Sequence, residues 1–249
     1  MSIQNKNEVL NKDENNLIRR STGQLNWLSS QTRPDLSYDA FYLSTCLNKA
    51  KYKEAKYSTK VLEKSKQRSV QLKFSHLAHW KDLHIELYVD AALGNIEQEG
   101  MTKSMMGYFI VLCDNSGNFN PLHWKSKVID KVTPDIKTAE TIALENALDD
   151  AIYMSKMISE IYTGKGDAFK IPIVINEDSK SLVQSLSSTK KVKRKTVRLV
   201  ISSIQQSIND GTISDIIHVS SKDQLADTFT KKGVNNEKLL KCLASGKLD

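Results

Sequence analysis

HIELYVDA, residues 84–91, is where the chain changes period. Ile85, Leu87 and Val89 fall on one side of an extended strand, and His84, Glu86, Tyr88 and Asp90 fall on the other. A helix cannot sustain that alternation, so a sheet begins here, and the strand is expected to end in the carboxylate of Asp90. Upstream the spacing is helical. Leu36, Ala40, Leu43 and Leu47 recur on one face of TRPDLSYDAFYLSTCLNKA, with Pro34 suited to a first turn and Asp35 near the positive helix end. A second amphipathic stretch from about Glu54 to Ser69 completes a helical hairpin over residues 21–80. Residues 1–20, rich in Asn, Lys, Asp and Glu, read as a flexible leader.

Downstream, MMGYFIVLC (105–113), the turn cluster DNSGN and FNPLHWKSK describe a hairpin that supplies strands two and three. Asp135 to Tyr162 carries a broad apolar helical face closed by Thr163 and Gly164. FKIPIVIN is a short β-branched strand, and a helix follows from Ser179. Another helix opens in KKVKRKTVR (190–198) and runs to Asn209. TISDIIHVS is a fifth strand, and DQLADTFTKK begins a closing helix. The expected fold class is therefore α/β (α+β mixed sheet): five strands with flanking helices over residues 81–233, preceded by the helical hairpin, with residues 234–249 as a tail.

The chain has 249 residues, 39% of them hydrophobic, and a formal net charge of +7. That length can bury a full core, and the positive balance favours a polyanionic partner. Cys46, Cys113 and Cys242 are odd in number and lack zinc spacing, which suits reduced thiols in the cytoplasm or nucleus. No apolar run approaches the ~18 residues of a membrane span, and the polar start lacks a secretory signal's apolar region. The expectation is an intracellular protein without a membrane partner.

Four acidic residues stand at junctions that such a sheet would bring together: Asp90 after the first strand, Glu140 opening a helix in TAETIALENA, Asp178 in INEDSKSLV and Asp227 in QLADTFTKK. Hard oxygen ligands gathered from distant segments are what two magnesium ions require to cut a phosphodiester, with Mn2+ as an alternative. Each has a rival. Glu145 competes with Glu140, Glu177 with Asp178, and Asp223 with Asp227, although Asp223 suits the N-cap of the last helix better. The rivals are expected to point elsewhere. His76 and His79 have ligand-like spacing but no third ligand nearby.

The strings themselves resemble a known family. GQLNWLSSQTRPDLSYDAFYLS is similar to the end of reverse transcriptase in copia-type LTR retrotransposons. MTKSMMGYFIVL, LHWKSK, TAETIALENA and HVSSKDQLADTFTK resemble, in the same order, the ribonuclease H segments of that Pol polyprotein. The match runs from about Gly23 to Gly233. It implies a ribonuclease H-like fold and assigns Asp90, Glu140, Asp178 and Asp227 as metal-holding, catalytic carboxylates. It also implies an RNA–DNA hybrid as substrate and reverse transcriptase or integrase parts of the polyprotein as partners. His218, nine residues before Asp227, corresponds to a histidine that assists proton transfer or product release.

The basic run Lys190, Lys191, Lys193, Arg194, Lys195 and Arg198 corresponds to a protrusion that some relatives lay on the nucleic-acid backbone; otherwise it is a solvated face. Lys125 and Lys127, flanking strand three, are further candidates for phosphate contact, while Trp124 suits the core equally. The chain departs from the family at Ala92 and Leu93, where an Asp and a Trp are usual, and in TVRLVISSIQQS, which replaces a histidine-containing stretch. Palm, integrase and protease motifs are not read in it. The expectation is a C-terminal piece of Pol, or a gene derived from one, cleaving the RNA of hybrids. The alternative is an inactive or domesticated fragment that binds nucleic acid or a protein.

Overall fold

The computed structural model describes residues 8–98, 100–165, 170–188 and 194–248. Three helices come first: α1 (Lys12–Gln31), α2 (Ser37–Cys46) and α3 (Tyr52–Gln67). Residues 12–20, expected in a flexible leader, belong to α1. Asn11 and Glu14 close a reciprocal capping box there, and Ile18, Thr22, Leu25 and Ser29 bury one stripe. The TRPD string has a structural task. Arg33 donates to Asp35 through Nε (2.8 Å) and Nη2 (3.0 Å) and to the Ser65 carbonyl through Nη1, tying the α1–α2 turn to α3 in a buried fork.

The sheet follows as β1 (Leu83–Gln98), β2 (Met101–Asp114), β3 (Phe119–Val128), β4 (Ile173–Glu177) and β5 (Ile213–His218), in the order β3-β2-β1-β4-β5. β1, β2 and β3 form an antiparallel meander, and β4 and β5 add in parallel through α4 (Ile136–Thr163), α5 (Lys180–Leu186) and α6 (Lys195–Asn209). This five-stranded mixed sheet with flanking helices is the expected fold class, and its order and strand directions are those of a ribonuclease H-like arrangement. α4 is delimited by an Asp135 N-cap and, as its sequence reads, by Gly164 at φ 73°.

Three further elements differ from expectation. β1 does not stop at Asp90; it runs on to Gln98 because Ala92 and Ile96 find a second apolar patch in Tyr38, Met105 and Val128, beneath α2. The segment holding Asp227 is a short 3₁₀ turn, Leu225–Phe229, capped by Gln224 rather than by Asp223. Phe229 packs against Phe109 there, and a Cβ on Gly107 would overlap its Cβ, so glycine at 107 is what lets the turn lie on β2. Residues 234–249 are not a loose tail. α7 (Glu237–Ser245) buries Leu239, Leu240 and Leu243 in the same cluster as Tyr88, Phe109 and Phe229.

Candidate active site

β1 and β4 pair as far as Tyr88 and Asn176, then part. At the split stand the carbonyls of Val89 and Asn176. The buried Gln224 side chain donates Nε2–H to both, at 3.0 and 3.2 Å, and thereby pins the Asp227 turn across the split. Two residues past the last pair stand Asp90 on β1 and Asp178 beyond β4. Asp90 is 6% exposed and faces the turn, where Thr230 donates its hydroxyl to Oδ2. Lys231 Nζ lies 3.4 Å from Asp90 Oδ2 and 2.5 Å from Asp227 Oδ1.

Burial pushes the Asp90 carboxyl up to about 7; Lys231 and Thr230 pull it down, and Asp227 and Asp178 raise it. Glu140, half-buried in the first turns of α4, is raised by burial and by Asp178, with Ser179 opposing. Asp178 accepts from the Ser221 hydroxyl at 3.1 Å, and its carbonyl lies 3.1 Å from His218 Nε2. His218 is exposed and pairs with Glu177 in the β4–β5 ladder. All four expected carboxylates, and His218, thus come to the same end of the sheet.

The rivals divide. Asp223 is exposed and bound to Lys238 and Ser220, and Glu145 lines the outer groove between α4 and α6. Glu177, expected to point elsewhere, instead belongs to the cluster electrostatically. It is 1% exposed, its pKa is driven well up by burial and further by Glu140, Asp178 and Asp90, and its Oε1 accepts from Ser179 N. Alternation explains the difference: Ile173, Ile175 and Glu177 share the α4 face, so Glu177 looks inward towards Glu140.

Among the described residues no three acidic, His or Cys side chains close on one point as they stand. The donor set nevertheless suits a hard divalent cation. It is all carboxylate, and Glu140 Oε2 and Glu177 Oε2 lie buried without a hydrogen-bond partner. Lys231, paired with Asp90 and Asp227, is the residue of this cluster that the sequence reading passed over. Its place four residues after Asp227 in a helix-like segment was the available signal. Nothing local marks Gln224.

The expected nucleic-acid contacts fare unevenly. Lys190, Lys191 and Lys193 lie outside the described residues. Arg194 is exposed but committed: it holds Asp135 and Thr138 at the start of α4, each through Nη1 at 2.8 and 2.9 Å. Lys195 is exposed and Arg198 half-buried. Lys125 pairs with Asp150 (3.5 Å) and Lys127 with Asp130 (2.9 Å). Trp124 takes the core role, donating Nε1–H to the Ser29 carbonyl and so docking α1 onto β3.

No family model matches this sequence. Solved structures similar to it include LC11-RNase H1, isolated from compost by a metagenomic approach, at 21% identity over 59% of this chain and 92% of that one, with a TM-score of 0.42. RNase H1 from the halophilic archaeon Halobacterium salinarum NRC-1 is 18% identical over 59% and 94%, TM-score 0.41. The foamy viral protease-reverse transcriptase in complex with dsDNA is 18% identical over 64% and 99%, TM-score 0.41. Likenesses this distant carry no residue roles onto the chain. No helix among the described residues is long and apolar enough to cross a membrane.

Proposed function

We propose that this chain is a ribonuclease H of copia-type retrotransposon origin that hydrolyses the RNA strand of RNA–DNA hybrids. The observation that carries the reading is electrostatic. Asp90 is raised first by burial and also by Asp227 and Asp178, and Glu140 by burial and also by Asp178, so four acids from four separate segments each lie within reach of another. Such crowding of carboxylates is costly unless a cation shares it. Asp90, Glu140, Asp178 and Asp227 would hold two Mg2+ ions, which when bound supply Lewis-acid activation of water and neutralise charge on the departing 3′-oxygen.

The remaining work falls to the chain itself. Thr230 and Gln224 fix Asp90 and the Asp227 turn relative to one another before substrate arrives. His218, exposed beside Asp178, is placed to take up or deliver a proton at the edge of the site. Choice of the RNA strand would come from its 2′-hydroxyls in the minor groove, while cationic side chains position the duplex through its phosphates. Lys195, Arg198 and the neighbouring lysines of 190–193 are assigned that task. Lys125 and Lys127 join it only by exchanging Asp150 and Asp130 for phosphate. In domain terms, residues 21–80 are a remnant of the reverse transcriptase end, and α7 belongs with the sheet it packs on.

The test is cleavage of a labelled RNA–DNA hybrid by the purified chain in Mg2+ or Mn2+, alongside Asp90→Asn. Removal of an outer-shell partner costs roughly 10–100-fold at a metal site, so loss of a direct ligand should exceed ~100-fold while folding and hybrid affinity persist. Equal cleavage by the two proteins would remove Asp90 from the site. No cleavage by either, with hybrid still bound, would favour the inactive nucleic-acid-binding fragment.

A further inference from the structure

The ammonium of Lys231 sits between the two carboxylates that the proposed function needs most, 2.5 Å from Asp227 Oδ1 and 3.4 Å from Asp90 Oδ2. Among the described residues it is the cation that reaches both. Asp90 is buried and Asp227 has 18% of its side chain exposed, so their charges are poorly screened by water. One positive charge between them relieves that repulsion. An ammonium and a divalent ion cannot both occupy the gap between the same pair of oxygens, because each would meet the other's charge at contact distance.

The turn carrying Asp227 does not depend on Lys231 for its place. Gln224 bonds it to Val89 and Asn176, Asn95 donates to the Thr230 carbonyl at 2.8 Å, and Phe229 is fully buried. The lysine also has somewhere to go. It lines a cleft of about 220 Å³ between α3 and the turn, together with Asp39, Tyr57, Lys64 and Lys232. Lys232 is already committed there, 3.7 Å over the Tyr57 ring, and Lys64 lies 3.4 Å from Asp39.

We propose that Lys231 is an exchangeable internal cation: it bridges Asp90 and Asp227 until a divalent ion enters, then withdraws into the cleft, and so sets how tightly this chain takes metal. This rests on the metal-holding role proposed for those two carboxylates. The lysine is a positioning and gating residue for the ion, and it acts before any substrate is present.

Binding of Mn2+ to the full chain, followed by the electron paramagnetic resonance of free Mn2+ with no nucleic acid added, tests the exchange. Lys231→Met should bind Mn2+ about tenfold more tightly or better, since the competing charge is gone. Its melting temperature without metal should fall, and Mn2+ should raise it by more than in the parent. Lys231→Arg, which keeps the charge, should bind Mn2+ much as the parent does. Lys231→Gln supplies the same test if the methionine variant does not fold.

Unchanged or weaker Mn2+ binding by a folded Lys231→Met or Lys231→Gln chain would overturn the proposal. Failure of both to fold would also overturn it, by making Lys231 a fixed structural counter-ion. Tighter Mn2+ binding by the variants, with no hybrid cleavage by the parent chain, would sink the hydrolase reading and leave the exchange standing.

Discussion

On one face of the sheet Ile85, Leu87 and Val89 share an unbroken apolar cluster with Ala139, Ala143 and Ala147 of α4. On the other, Tyr88, Phe109 and Val111 meet Leu225, Phe229 and Leu243, and Asp90 sits at the margin among Thr230, Lys231 and Asp227. The first face is filled by small helix residues against branched strand residues, which brings α4 close and keeps the middle of that face apolar. The second trades some of that packing for a pocket in which carboxylates stay desolvated yet partnered. Stability should therefore reside chiefly in the middle of the α4 face, and ion-holding capacity at the carboxylate end, where the Asp227 turn lies on the other face. Three substitutions separate the two.

The largest effect is expected at the centre of the α4 face. Leu87 is fully buried, and Leu87→Ala should cost ~2–5 kcal/mol in urea unfolding through lost transfer energy and the cavity left behind. The carboxylate end should keep its geometry in whatever fraction remains folded, so Mn2+ affinity per folded molecule should hold. A similar loss of affinity in that fraction would show the two faces to be one unit.

Gly107→Ala probes the opposite face. The new methyl would overlap Phe229 and crowd Thr230, so the turn must shift, at a cost of ~1–3 kcal/mol. Unlike Leu87→Ala it should also weaken Mn2+ binding, because Gly107 lies opposite Asp90 in the β1–β2 ladder and the displaced turn carries Asp227. Calorimetric titration beside thermal melts distinguishes the outcomes; a stability loss with intact Mn2+ affinity would mean the turn is not what assembles the pair.

The smallest effect should come at the rim. Asp135 caps α4 through Thr138 N at 2.8 Å, and Asp135→Ala should cost ~1 kcal/mol. Its carboxyl is held below the usual range, first by the Thr138 N–H and also by Arg194. A depressed acid contributes stability above its unfolded pKa and loses it as the pH falls through the folded value. The gap between parent and variant melting temperatures should therefore be full near neutrality and close under acid conditions. A gap that stays constant down to low pH would assign the effect to helix propensity.

Local pattern made much of this legible in advance. The alternation around Leu87, the apolar face and Gly164 stop of α4, and the β-branched run of β4 are properties of neighbouring residues, and each was read with its place in the element order. The four carboxylates were legible because each sits at a junction, and junctions on one end of a sheet follow from strand directions. The turn at 225–229 was misread as a helix, since its conformation answers to Phe229 finding Phe109 beneath Gly107, a contact made across 120 residues.

Charge pairing was the least legible of all. The sequence by itself determined the strands and helices and their order along the chain, because hydrophobic period acts within a few residues, and its family resemblance singled out the four acids. Tertiary structure alone decided that Arg194 serves α4, that Lys125 and Lys127 are paired with Asp150 and Asp130, that Glu177 turns inward, and that Lys231 lies between Asp90 and Asp227. A side chain's charge is written in the sequence, whereas its partner is whichever opposite charge the fold brings within a few ångströms.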